Sequence, residues 1–222
     1  MIGLDAAPRV VLVHAVPVAM APVEAAFKRL WPQARRSNLL DDGLPADLER
    51  AGQLTPELHE RIARLVDHAV GIGAQGVLFT CSAFGDAIAA KAACSPIPVL
   101  KPDQAMFDLA LEAGRRIGML ATFAPAVPNM ERDFRAAAKR RGIDVDIESV
   151  CVPEAMDAAR AGDTARHNRL LVEAASQLAH CDAVMLAQFS TSVALDAVQS
   201  VLACPVLSSP DAAVALLKKQ LG

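Results

Sequence analysis

Cys81 closes the apolar run Val77-Leu78-Phe79-Thr80, and the small residues Ser82-Ala83 lead on into a helical pattern through Ile88 to Ala93. A run of that length reads as a short buried strand. Cys81 then stands between a strand end and a helix start, beside backbone N–H groups without helical partners and near the positive end of the helix dipole. That setting lowers a thiol's pKa, and the same N–H groups can hold a carboxylate. The chemistry on offer is proton transfer next to a bound carboxylate. The plain alternative is a small buried hydrophobe, because free cysteine is among the most buried residue types.

An internal duplication changes that weighing. At an offset of 107 residues, RVVLV from Arg9 lies over RIGML from Arg116, Glu24 over Glu131 and Phe27 over Phe134. GVLFTC from Gly76 lies over AVMLAQ from Ala183, and Pro98-Val99-Leu100 over Pro205-Val206-Leu207. Separated landmarks at one offset mean two copies of one α/β unit. The overlay puts Cys81 on Gln188. The expected domains are 1–102 plus 208–222 for the first lobe and 103–207 for the second.

The elements that must position these residues follow from periodicity. A strand runs from Arg9 to about Ala15, and a helix carries Val23, Ala26, Phe27 and Leu30 on one face. A second strand lies near Arg35 to Leu40. The polar stretch Asp41 to Leu54 reads as a solvated connection. Thr55-Pro56 caps a helix with Leu58, Ile62, Leu65, Val66 and Ala69 on one face. GIGAQG, from Gly71, fits a dinucleotide fingerprint only literally, since it follows a helix and precedes a strand. A helix from Asp103 carries Ala105, Met106, Leu109, Ala110 and Ala113. The second copy repeats the series, with strands at Ile117–Ala121, Val145–Val150, Ala183–Ala187 and Pro205–Leu207. Strands alternating with helices predict parallel sheets covered on both faces, which bind ligands at the carboxyl ends of their strands. The tips are His14-Ala15, Cys81-Ser82, Ala121-Thr122 and Gln188-Phe189.

Composition narrows the function class. The 222 residues carry a formal net charge of −3, with 4% aromatics and no Tyr, so no basic stripe with interleaved aromatics is available to nucleic acid. The five cysteines show no pairing pattern, which fits a reducing cytoplasm. Cys94, Cys151, Cys181 and Cys204 read as structural, and Cys81 is expected to be the most reactive of the five. The five histidines form no metal-ligand spacing, so no metal is expected. Residues 1–8 read as a loose tail. Val10 to Val23 is not a signal-peptide core, because its copy begins mid-chain, and no run approaches the ~18 apolar residues that span a membrane.

The chain resembles the aspartate/glutamate/hydantoin racemase superfamily. The residues that carry the resemblance are TCSAFGD from Thr80, PVLKPDQAM from Pro98, RIGMLATFAP from Arg116, DAVMLAQFSTSVALDAV from Asp182 and PVLSSP from Pro205. The resemblance implies an α/β fold of two pseudo-symmetric flavodoxin-like lobes, each a parallel sheet flanked by helices, with the active site between them. It implies no cofactor, a small-molecule carboxylate substrate and a homodimer. Relatives use two cysteines on opposite faces of the substrate carbon, one as thiolate base and one as thiol acid.

Carried over by position, Cys81 matches the first catalytic cysteine, and Ser82 and Thr122 match carboxylate-binding positions. Gln188, with Phe189 and Ser190, occupies the place of the second cysteine. An amide cannot take a proton at neutral pH, so His14 is the candidate second acid/base. Its alternative is a hydrogen-bonded histidine at a strand end. Three readings stay open. One is a racemase or isomerase acting beside a carboxylate of an amino acid, hydantoin or related acid. The second is a single-cysteine decarboxylase of a malonate-type acid, like arylmalonate decarboxylase, whose cysteine lies in the other half. The third is a non-catalytic carboxylate binder.

Overall fold

The protein, seen in a computed structural model, is described over residues 7–222; the expected N-terminal tail falls for residues 1–6 outside the described residues. The chain divides into two units, Met1–Gln104 with Ala213–Gly222, and Ala105–Ala212.

In the first unit β1 (Arg9–His14) passes through a 3-10 turn at Pro17–Ala19 into α1 (Met20–Leu30), then β2 (Arg35–Leu40). Next come α2 (Leu44–Ala51), α3 (Pro56–Gly71), β3 (Gly76–Phe79), α4 (Gly85–Ala92) and β4 (Val99–Leu100). The four strands are parallel in the order β2-β1-β3-β4. The second unit holds α5 (Gln104–Ala113), β5 (Arg116–Ala121), α6 (Val127–Arg140), β6 (Asp146–Cys151), α7 (Pro153–Arg160) and α8 (Thr164–Ala175). It continues with β7 (Ala183–Leu186), α9 (Leu195–Gln199) and β8 (Val206–Ser208), and α10 (Ser209–Leu221) ends the chain. Its sheet is also all parallel, in the matching order β6-β5-β7-β8.

The central strands are buried on both faces, which is why they read as continuous apolar runs. Val11, Val13, Val77 and Phe79 pack with Ile62 and Val66 of α3 and Ile88 of α4. In the second unit Leu120, Val184 and Leu186 pack with Leu171, Leu178 and Val198. Burying each such side chain contributes about 1.5–3 kcal/mol. Helix α3 starts as expected, since Thr55 Oγ1 accepts from the Leu58 N–H at 3.4 Å, and Gly73 leaves it at φ +81. Helix α5 buries Phe107 and Leu111, while Leu109, placed on its apolar face from sequence, is exposed.

Two helices escaped the sequence reading. The supposed solvated connection at 41–54 contains α2, which buries Leu44 and ends at Gly52 with φ +70. Its polar exposed face hides a two-residue apolar stripe, Leu44 and Leu48, that joins the first core. Arg61 of α3 pins this segment by salt bridges to Asp41 and, at 2.5 Å, to Asp47. Helix α7 is as short and is held by Ala155 and Ala158. The constant offset also breaks at one place. Arg35 opens β2 and Asp146 opens β6, an offset of 111, and the register returns to 107 at β3 and β7.

The copies share a seal at the amino ends of the central strands. Gln75 Oε1 accepts from the Arg9 N–H at 3.2 Å. At the equivalent position Asp182 Oδ2 accepts from the Arg115 and Arg116 N–H groups at 2.8 and 2.9 Å, and Oδ1 from the Arg116 guanidinium at 3.1 Å. These donors hold the Asp182 carboxyl down at about 2, against an ordinary value of 3.8. The unfolded chain therefore protonates Asp182 first, and the stability it contributes is present above pH 3.8 and lost as pH falls through about 2. Asp182→Ala should lower the melting temperature at neutral pH. The gap from wild type should close at pH 2, which thermal unfolding across that range would read.

Candidate active site

In the first unit the site residues leave the sheet from neighbouring strands. β1 and β3 pair in parallel with Val13 opposite Phe79, so His14 and Thr80 end side by side. The Thr80 N–H donates to Val13 O at 3.0 Å, the last rung of the ladder. Cys81 follows in extended conformation (φ −125, ψ 122), and a 3-10 turn at Ser82–Phe84 begins directly after it. Its thiol is half-buried and packs against the first core. Ser82 is exposed.

The protonation of Cys81 differs from the sequence expectation. Burial pushes the thiol up, with a further push from the negative charge of Asp103, while the Ala83 backbone N–H pulls down less strongly. The resting form is therefore the thiol. One N–H of the turn after Cys81, that of Ala83, acts on the thiol, and lost hydration outweighs it and the short dipole. The expectation that Cys81 labels first also changes, because Cys94 is exposed and Cys81 is not. Burial pushes Cys181 up to about 11, and Cys151 and Cys204 also rise.

His14 is fully buried, with both ring nitrogens engaged. Nδ1 lies 2.9 Å from Thr80 Oγ1, and Nε2 lies 2.9 Å from Asn38 Oδ1. Asn38 Nδ2 in turn donates to Glu24 Oε1 at 3.3 Å, and Glu24 pairs with Arg36 at 3.0 Å. An amide oxygen only accepts, so Nε2 carries the proton and Nδ1 accepts from the Thr80 hydroxyl. Burial lowers the His14 pKa from 6.5, against upward pulls from Asn38 and Glu24. Sequence reading missed Thr80 and Asn38; the signal was Glu24 and Glu131 at the common offset, which mark the helix side of this polar chain.

In the second unit Thr122 is buried and bound to Gln188. Gln188 Oε1 accepts from the Thr122 N–H at 3.1 Å and its hydroxyl at 3.3 Å. Thr191 fixes the backbone of Gln188, accepting from its N–H at 3.2 Å and donating to its carbonyl at 2.6 Å. The Gln188 Nε2 atom is buried without a hydrogen-bond partner among the described residues. Such an orphaned donor costs about 1–3 kcal/mol. Phe189 is buried and Ser190 half-buried. The two donors expected for a carboxylate at Thr122 are thus spent on Gln188, and its own amide hydrogens are left in their place.

Solved structures with this architecture include an aspartate racemase from Picrophilus torridus, at 15% identity and TM-score 0.69, covering 96% of this chain and 94% of that one. An allantoin racemase from Klebsiella pneumoniae matches at 15% identity and TM-score 0.69 over 97% and 88% of the two chains. Arylmalonate decarboxylase matches at 22% identity and TM-score 0.61 over 97% and 93%. The chain shares the fold of these two racemases and of the decarboxylase. No family model matches the sequence, and no curated protein matches it significantly. On the racemase fold, Cys81 and Gln188 hold equivalent tips of equivalent strands, after β3 and β7. Among the described residues no group of three or more His, Cys, Asp or Glu could hold a metal ion, and no helix is long and apolar enough to cross a membrane.

The buried His14 makes a pH-dependent contribution. The unfolded chain takes up a proton at 6.5 that the folded chain refuses until lower pH, so stability is full above pH 6.5 and falls below it. Urea unfolding at pH 7.5 and pH 5.5 should show a smaller loss on acidification in His14→Asn than in wild type.

Proposed function

We propose that this chain is a cofactor-independent enzyme of the racemase/isomerase type, moving a proton at the carbon next to a carboxylate with Cys81 as its acid/base. The observation that carries the reading is a lone thiol at the β3 tip, with an amide, Gln188, at the duplicate position after β7. The fold it shares with racemases and a decarboxylase supports it. In this reading Ser82 and the backbone N–H groups after Cys81 bind the carboxylate, with Gln188, Phe189 and Ser190 lining the second tip. Removing an α-proton builds charge on the carboxylate oxygens, and preorganised donors stabilise it. Thr122 acts through Gln188, whose carboxamide it orients.

Racemisation needs an acid/base on both faces of the carbon. For His14 to serve as the second, it would have to release Asn38 or Thr80. The decarboxylase reading is favoured by the resting thiol and by the engaged His14. There the C–C bond to the leaving carboxylate breaks as CO₂ departs. The electron pair stays as an enediolate, and the Cys81 proton passes to carbon. Water then returns a proton to the thiolate.

Both readings need Cys81. A panel of amino acids, hydantoins, hydroxy acids and disubstituted malonates, incubated in D₂O and followed by NMR, should show α-deuteration or CO₂ release. Cys81→Ala should reduce it by about 10²–10⁴-fold or more with the fold intact. An unimpaired Cys81→Ala enzyme would refute both; ligand binding without turnover would leave a carboxylate binder.

Gln188→Cys gives a second, independent test. It installs a thiol at the position equivalent to Cys81 and frees both Thr122 donors. Wild type should act on one face only, by stereospecific exchange or enantioselective protonation, and the variant should gain racemisation, measured by chiral chromatography. A wild type that already racemises both enantiomers at equal rates would mean that another residue serves the second face.

A further inference from the structure

Two cysteines of the second unit meet at the amino ends of β7 and β8, the far end of the sheet from Gln188. These strands pair in parallel with Val184 opposite Val206, and the Val184 N–H donates to Pro205 O at 2.9 Å. Continued back by two residues, this register sets Asp182 opposite Cys204, and Cys181 stands one residue before Asp182. Neighbouring strands lie about 4.8 Å apart and rise about 3.3 Å per residue, which puts the two Cα atoms about 6 Å apart. A disulfide spans about 4.4–6.8 Å between Cα atoms. Cys181 precedes the first residue of β7, so strand alternation does not turn it from its neighbour. Both side chains pack on the same cluster, with Leu178, Val198, Leu202 and Val206. The Cys204 thiol is also close enough for its charge to act on Cys181.

Both backbones are pinned. The Cys181 N–H donates to Leu178 O at 3.0 Å, and the Asp182 N–H to Arg116 O at 2.7 Å. Gln199 clamps the other segment: its Nε2 donates to Leu202 O at 3.2 Å and Cys204 O at 3.1 Å, and its Oε1 accepts from the Val206 N–H at 2.9 Å. Groups held side by side in this way react at a high effective concentration. The two thiols differ in access, since Cys181 is buried and Cys204 half-buried. Burial pushes both up, Cys181 to about 11, while the backbone N–H of Cys204 pulls its own thiol back. An apolar setting penalises thiolates and leaves a neutral disulfide unpenalised.

We propose that Cys181 and Cys204 are a redox pair, which a hydroperoxide converts into an intrachain disulfide joining the amino ends of β7 and β8. The proposal is independent of the chemistry assigned to Cys81. Cys204, the accessible member, attacks the peroxide as thiolate. A sulfur–oxygen bond forms, the oxygen–oxygen bond breaks, and water leaves once protonated, so sulfur is oxidised and peroxide reduced. Cys181 sulfur then attacks the Cys204 sulfenic acid. The disulfide bond forms, the sulfur–oxygen bond breaks, and a second water leaves with the Cys181 proton. His180 Nε2, 3.9 Å from Cys181 Sγ and 3.1 Å from Glu148 Oε2, lines the way from this thiol to solvent.

The test is to treat the reduced, folded protein with hydrogen peroxide, block free thiols, and map the peptides without reduction. Cleavage before Asp182 and Asp196 puts the two cysteines on separate peptides. The expected product joins Cys181 to Cys204, lighter by two hydrogen atoms. Closing the loop restricts the unfolded chain, so the oxidised protein should melt about 5 °C or more above the reduced one. Cys181→Ser should leave Cys204 as a sulfenic acid that dimedone traps, and Cys204→Ser should give neither product at this pair. Disulfides to Cys81, Cys94 or Cys151 in place of this one would overturn the proposal. So would a pair that stays reduced, a Cys204 that over-oxidises without cross-linking in wild type, or a cross-linked protein that melts lower.

Discussion

Parallel pairing of β1 with β3, and of β5 with β7, is the constraint on which the rest of the structure depends. The ladder runs from Val10 opposite Gly76 to Val13 opposite Phe79, and the second copy runs from Ile117 opposite Ala183 to Leu120 opposite Leu186. Its last rungs are Thr80 N–H to Val13 O and Ala187 N–H to Leu120 O, each 3.0 Å. Beyond them the backbone turns out of the sheet, so the next residue has no strand partner. In one copy that residue is Cys81, and in the other Gln188. Both strands are buried on two faces, so a slip of register would drive every one of their side chains to the wrong side. The chemistry-bearing position is therefore held by the core.

The copies have diverged where polar groups meet the strand ends. Glu24 reaches Asn38 and Arg36 in the first unit, and Glu131 reaches Ser149 and Arg135 in the second. Only the first continues, through Asn38 and His14 to Thr80. The positions equivalent to His14 and Thr80 are Ala121 and Ala187, both apolar and buried. A connected polar chain thus lies beside the strand that carries the cysteine and is absent beside the strand that carries Gln188. Every member of that chain has a partner, as a buried network requires to be stable. The second unit instead spends its polar groups on Gln188, through Thr122 and Thr191.

Cys81 shows how two opposed effects are decided. A helix start contributes about 0.3–1 kcal/mol to a nearby negative charge. Removing water from a thiolate shifts a pKa by up to several units. The element after Cys81 is a 3-10 turn rather than a full helix start, so the favourable effect is at the low end. Burial against the core and the charge of Asp103 then prevail. A thiol that rests protonated is matched to delivering a proton.

The sequence by itself determined the elements, their alternation and the duplication, because apolar runs and helical spacing are local and the offset survives in strands that must stay buried. It also placed Cys81 and Gln188 at equivalent tips, since run length sets where a strand ends. It did not reveal α2 or α7, whose apolar stripes of two residues are too short for periodicity to register. Only the tertiary structure decided the protonation of Cys81, the engagement of both His14 nitrogens and the binding of Thr122 to Gln188. Those pairings join His14 to Thr80 and Thr122 to Gln188, each 66 residues apart in the chain. Hydration and hydrogen-bond partners at such separations are set by which strands lie side by side, and no local pattern encodes that.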